Sequence, residues 1–112
     1  MTLEDQHTDL KSLRTVTGRT ADWDALAKDC VCFANGAGGR LLIGIEDGEA
    51  SPPAGQTVPP ELLDRLRKRI GELTVNVQAL PALRRAANGG EYIELLIDRS
   101  PNVASTRDGR YF

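Results

Sequence analysis

The apolar residues of this chain fall into segments of two different periods. Trp23, Leu26, Ala27, Cys30, Val31 and Ala34 recur at three-four spacing, which predicts an amphipathic helix from Asp22 to Asn35. Thr20 or Asp22 can cap its start, and Asp22 and Asp24 suit the positive end of its dipole. Leu62, Leu63, Leu66, Ile70 and Leu73 mark a second helix, opened by Pro59-Pro60-Glu61, where proline is tolerated and an acid is favoured. Between them, Leu41 to Ile45 is a short apolar run bounded by turn residues, the pattern of a strand covered on both faces, and predicts a strand over 40–46.

The remaining strands read more faintly. Leu10 and Leu13 anchor a weak alternation over 8–14, and Gly18 marks the connection that follows. Residues 74–80 alternate β-branched and polar side chains until Pro81 interrupts them. Residues 82–87 and 91–98 flank Asn88-Gly89-Gly90, a hairpin signal. Residues 48–58 are a loop by composition, and the end of the chain, through Asp108-Gly109 to Tyr111-Phe112, reads as a turn entering another strand. That ending on an apolar pair suggests one domain cut from the N-terminal part of a longer protein.

At 112 residues the chain has room for one core. No apolar run is long enough to span a bilayer, and the opening residues lack the basic and apolar regions of a signal peptide, so a cytoplasmic protein without membrane contact is expected. Cys30 and Cys32 point to different sides of the first helix, so core or half-buried thiols are expected rather than a disulfide. With His7 the single histidine, there is no zinc set, and His7 itself is assigned no role. The net charge of −2 argues against indiscriminate coating of nucleic acid, but it is unevenly spread: residues 1–50 hold five basic and nine acidic groups, residues 51–112 nine and seven. On the second helix, Arg65, Arg67, Lys68 and Arg69 form a cluster whose plainest reading is a solvated face with Glu61–Arg65 and Asp64–Lys68 pairs at i,i+4.

The glycine turn Asn35-Gly36-Ala37-Gly38-Gly39 invites a phosphate-binding reading and fails its tests. No Gly-Lys-Ser/Thr follows, and the order is helix–turn–strand, so no helix N-terminus is aimed at a ligand. A structural turn is expected, and ATP is not expected as a cofactor. Glu4, Asp9 and Asp47 could converge if the first strand lies beside the second, and such carboxylates can hold Mg²⁺ or Mn²⁺; 16 acidic residues also produce chance triplets that are simply solvated.

The run Ala34-Asn35-x-x-Gly38-Gly39-x-Leu41-Leu42-Ile43-Gly44-Ile45-x-Asp47-Gly48 resembles the central motif of the Schlafen-type, Alba-like DNA-binding domain found at the N-terminus of bacterial transcriptional regulators, once described as divergent ATPase-like. Glu4 followed by Asp9-Leu10-Lys11 stands at the spacing of that family's opening acid and Glu-Phe-Lys, and Tyr111-Phe112 matches its closing aromatic pair. The resemblance implies an α+β, two-layer Alba-like β-α-β-α-β-β domain with a mixed sheet and two main helices, and the element order read from periodicity agrees. It implies a DNA- or RNA-binding module, with Lys11, Arg14 and Arg40 near the motif and Arg65, Lys68 and Arg69 as a second patch. It makes Asn35, Gly38, Gly39 and Gly44 the motif's turn residues. In eukaryotic Schlafen relatives the acids matching Glu4, Asp9 and Asp47 form a metal-dependent RNA-cleaving site; here Asp9 is one methylene shorter than the family's glutamate, and Leu10 replaces its phenylalanine. The leading expectation is a non-enzymatic nucleic-acid-binding module of a transcriptional regulator. The alternatives are an Mg²⁺- or Mn²⁺-dependent nuclease, a nucleotide-binding domain, and a homodimerisation or interaction module working with further domains.

Overall fold

A computed structural model describes residues 7–112. Its elements run β1 (Thr8–Lys11), two 3₁₀ turns, α1 (Trp23–Asn35), β2 (Gly39–Ile43), α2 (Glu61–Leu73), β3 (Thr74–Val75), β4 (Ala79–Arg85), β5 (Glu91–Ile97) and β6 (Ser105–Thr106). Four strands make one mixed sheet in the order β1-β2-β5-β4, and β3 and β6 pair separately. β1 and β2 are parallel, joined by the crossover through α1 that such a pair requires, and the other pairings are antiparallel. The fold is α+β, as the sequence implied.

Both helices pack on one face of the sheet. Leu41, Ile43, Ile93, Leu95 and Ile97 point into a core shared with Leu26, Cys30, Val31 and Ala34 of α1 and Leu62, Leu66 and Ile70 of α2. Burial, followed by the nearby Asp29 charge, pushes the Cys30 thiol up to about 12, while Cys32 is exposed rather than half-buried. The opposite face is thinner: Leu10, Leu42 and Ile45 form a small cluster against Tyr92. α1 starts where the Asp22 carboxylate accepts the Ala25 N–H at 3.1 Å. α2 ends under the Arg107 guanidinium, which donates to the carbonyls of Gly71 and Thr74, both at 3.0 Å, at the negative end of the helix dipole. Among the described residues, no helix is long and apolar enough to cross a membrane.

The structure departs from the sequence pattern at four strands. β1 stops at Lys11 instead of reaching residue 14, because the Thr15 N–H and hydroxyl both bond the Ser12 carbonyl, at 3.1 and 2.7 Å, and fold the chain into a 3₁₀ turn. The strand expected over 74–80 breaks at Asn76, whose φ is 62° and whose amide donates to the Val103 carbonyl. Pro81 does not interrupt pairing. It lies inside β4, an edge strand, where a missing N–H costs the ladder nothing on the open side. β2 likewise ends early, at Ile43, because Gly44 turns out of the strand with a φ of 113°.

Candidate nucleic-acid interface

The motif turn is a packing device. The Gly36 N–H closes α1 on the carbonyls of Cys32 and Phe33, both at 3.1 Å, and Gly38 follows with a φ of 83°. A Cβ on Gly38 would stand 2.9 Å from the Ile97 carbonyl oxygen, and one on Gly39 would stand 2.8 Å from the His7 carbonyl oxygen and overlap the Phe33 ring. At Gly44 the obstacles are the Gln56 amide at 2.7 Å and the Tyr92 Cβ at 3.2 Å. Asn35 works through its side chain: Oδ1 accepts the Ala104 N–H at 2.7 Å, and Nδ2 donates to the carbonyls of Ala104 and Phe112 at 2.9 and 3.0 Å. The amide therefore fixes the last stretch of chain to the end of α1. Asn35→Ala strands the N–H of fully buried Ala104 and should cost about 1–3 kcal/mol. The check is a lower urea midpoint at unchanged m-value, with Asn35→Asp, which keeps the acceptor, in between.

The basic residues divide into matched and unmatched. The Lys11 ammonium lies 2.8 Å from Asp29 and 3.1 Å from Asp9. Burial alone would lower its pKa, but contact with Asp29, then with Asp9, outweighs that and holds it above the ordinary 10.5. Arg40 crosses the sheet, donating to Thr8 Oγ1 at 3.1 Å and to Glu94 Oε2 at 2.9 Å, while Arg84 reaches Glu94 Oε1 at 3.2 Å. Burial would raise the Glu94 carboxyl, but Arg40 and then Arg84 hold it below the ordinary 4.5. Asp29 and Glu94 escaped the sequence reading. Glu94 was visible as an acid flanked on both sides by apolar residues of the strand, whereas Asp29 meets Lys11 only through tertiary packing.

On α2 the expected i,i+4 pairs do not form. Asp64 pairs with Arg67 at 3.2 Å, and Glu72 with Arg69 at 3.4 Å, both at i,i+3. Arg69 also lies over the Trp23 ring, 5.7 Å from its centroid. Arg65 and Lys68 are left exposed, with no carboxylate in ion-pair reach among the described residues, along a shallow groove that Arg69 also lines. Arg14 is likewise exposed and unpaired among the described residues.

Of the acidic trio, Glu4 lies outside the described residues. Asp9 faces Leu41 across the parallel register, and Asp47 follows six residues after Leu41, in an exposed turn beyond β2. Among the described residues, no three His, Cys, Asp or Glu side chains converge where a metal ion could sit.

No curated protein matches the chain. The sequence profile described as Schlafen, AlbA_2 matches residues 4–112, nearly the whole length, and that name points to a nucleic-acid-related domain. The chain belongs to the Schlafen, AlbA_2 family.

Proposed function

We propose that this domain binds nucleic acid, DNA foremost, as the recognition module of a transcriptional regulator, and that α2 supplies the phosphate contacts. The observation carrying this reading is the unmatched pair Arg65 and Lys68, three positions apart and hence on one helix face. Cations already held by carboxylates gain little from a phosphate, because the protein has matched their charge. By that criterion Lys11 and Arg40, which the motif resemblance favoured, serve the fold, whereas Arg65, Lys68 and Arg14 remain available. A row of such contacts fixes register on a duplex without reading its sequence.

Binding of a labelled generic duplex, followed by fluorescence anisotropy over graded salt, tests this. Each phosphate contact contributes about 0.9 to the slope of log K against log salt, so Arg65→Ala/Lys68→Ala should flatten the slope by about 2. An unchanged slope would move the interface off α2. Absence of binding even at low salt would sink the reading as a whole.

A further inference from the structure

Glycine follows an Asn or Asp at four places: Asn35-Gly36, Asp47-Gly48, Asn88-Gly89 and Asp108-Gly109. At such a pair the glycine nitrogen can attack the preceding side-chain Cγ, because no Cβ shields the approach. A five-membered imide forms as water leaves an aspartate, or ammonia an asparagine. Water then reopens the ring. Attack at Cγ gives aspartate. Attack at the main-chain carbonyl breaks its bond to the glycine nitrogen and leaves the chain running through Cγ, as isoaspartate. For an aspartate the atoms balance without a co-reactant, one water lost and one regained.

The fold restrains three of these pairs at the reacting groups. The carbonyls of Cys32 and Phe33 hold the Gly36 N–H, and Ala104 and Phe112 hold the Asn35 amide. The Gly89 N–H donates to the Ala86 carbonyl at 2.9 Å, while the Asn88 amide donates to the Pro52 carbonyl at 2.7 Å and accepts the Gly90 N–H at 2.9 Å. The Gly109 N–H donates to the Thr106 carbonyl at 2.9 Å, and the Asp108 carboxylate accepts from the Thr106 hydroxyl and, at 3.1 Å, from Arg110 Nε. Those bonds, Thr106 first and then Arg110, hold the Asp108 carboxyl below the ordinary 3.8 and so reduce the acid form, the one that can lose water. Asp47 and Gly48 differ. Both are exposed, and neither the Asp47 carboxylate nor the Gly48 N–H has a partner among the described residues. The space where a Gly48 Cβ would stand is open. The bond closing this turn, from the Glu49 N–H to the Glu46 carbonyl at 3.0 Å, spans the pair without engaging either reacting group.

We propose that Asp47 is a native-state modification site: the folded protein isomerises there as fast as an unfolded chain, and the product is a substrate for isoaspartate-directed methyl transfer. The product lengthens the main chain by one methylene and exposes an α-carboxylate, the group that such a repair methyltransferase esterifies. The inference goes beyond the nucleic-acid reading and does not depend on it.

The test ages the 112-residue chain at neutral pH, folded and in parallel in guanidinium chloride, and separates its tryptic peptides by chromatography and mass spectrometry. The peptide 41–65 should split into two forms of equal mass. Its rate should agree within about twofold between the folded and unfolded samples, less than the effect of one restraining bond. Isomerisation at Asp108 and deamidation at Asn35 and Asn88 should each be at least about tenfold slower in the folded sample, since each bond that must open first contributes roughly two- to tenfold. An isoaspartate-specific methyltransferase with labelled S-adenosylmethionine should label the aged folded parent and leave aged Asp47→Glu at background, because that carboxyl lies one methylene too far for a five-membered ring. Unchanged melting of Asp47→Glu confirms its fold. If folding protects Asp47 as strongly as Asp108, or if Asp47→Glu is labelled as heavily as the parent, the inference is overturned. An isomer at Asp47 that the methyltransferase leaves unlabelled would overturn the repair-substrate assignment. None of these outcomes bears on the α2 interface, which the salt slope tests separately.

Discussion

Gly38→Ala should destabilise the domain by about 2–5 kcal/mol and lower its melting temperature by roughly 10–20 °C. Two costs combine. Gly38 holds a φ of 83°, where a side chain is strained, and a Cβ would also press on the Ile97 carbonyl oxygen at 2.9 Å and the Arg99 nitrogen at 3.1 Å. Neither neighbour can yield easily. Ile97 is the last residue of β5, and the Ser100 N–H beyond it bonds the Ala34 carbonyl at 2.8 Å, so moving this backbone disturbs both the sheet edge and the end of α1. Gly48 provides an internal comparison. Its φ is 85°, nearly the same, but a Cβ there meets nothing within 4 Å. Gly48→Ala should therefore cost only the conformational part, about 1–2 kcal/mol. Thermal or urea unfolding of the two variants, side by side, separates strain from collision. Equal losses would mean that Gly38 is required for its dihedral angle alone, and that the close approach of the motif turn to β5 has no energetic weight.

The same turn shows how far the sequence could be read. Its glycines announced an irregular connection between a helix and a buried strand, and both neighbours lie where periodicity placed them: α1 ends at Asn35, and β2 begins at Gly39. Those signals are local, since a helix stripe and an apolar run depend on residues within a few positions. What each glycine touches was not legible, because Ile97 and His7 reach the turn only after the sheet has assembled. Pro81 illustrates the same limit. A proline ends a central strand but not an edge strand, and whether β4 lies at the edge is decided by the order β1-β2-β5-β4. Asn76 is the converse, a residue in an alternating run whose positive φ follows from its amide bonding Val103 across 27 residues. On α2, Asp64 could pair with Arg67 or Lys68 at similar local cost, so the sequence alone could not show which cation is left free.

Lys11→Met should cost about 1–3 kcal/mol near neutral pH, with a pH dependence that identifies the ammonium as the cause. Methionine keeps much of the length and apolar stem of lysine but removes the charge that ties β1, through Asp29, to α1. The substitution leaves Asp29 Oδ2, an enclosed oxygen with no directed hydrogen bond among the described residues, facing an uncharged group. The folded protein holds Lys11 above the ordinary 10.5, so its contribution is fully present below that value and is lost as pH rises through the raised one. The stability gap between parent and variant should thus be constant between pH 7 and 9 and close as pH climbs beyond about 10.5. Urea midpoints at three pH values measure it. A gap that does not narrow at all between pH 9 and pH 11 would assign the loss to stem packing, and the ion pair would carry no weight. The same variant also separates the two faces offered for DNA. With its charge matched by Asp29 and Asp9, Lys11 should leave the salt slope of duplex binding unchanged. A slope reduced by about 0.9 would count Lys11 as a phosphate contact and shift the interface from α2 to the β1 side of the sheet.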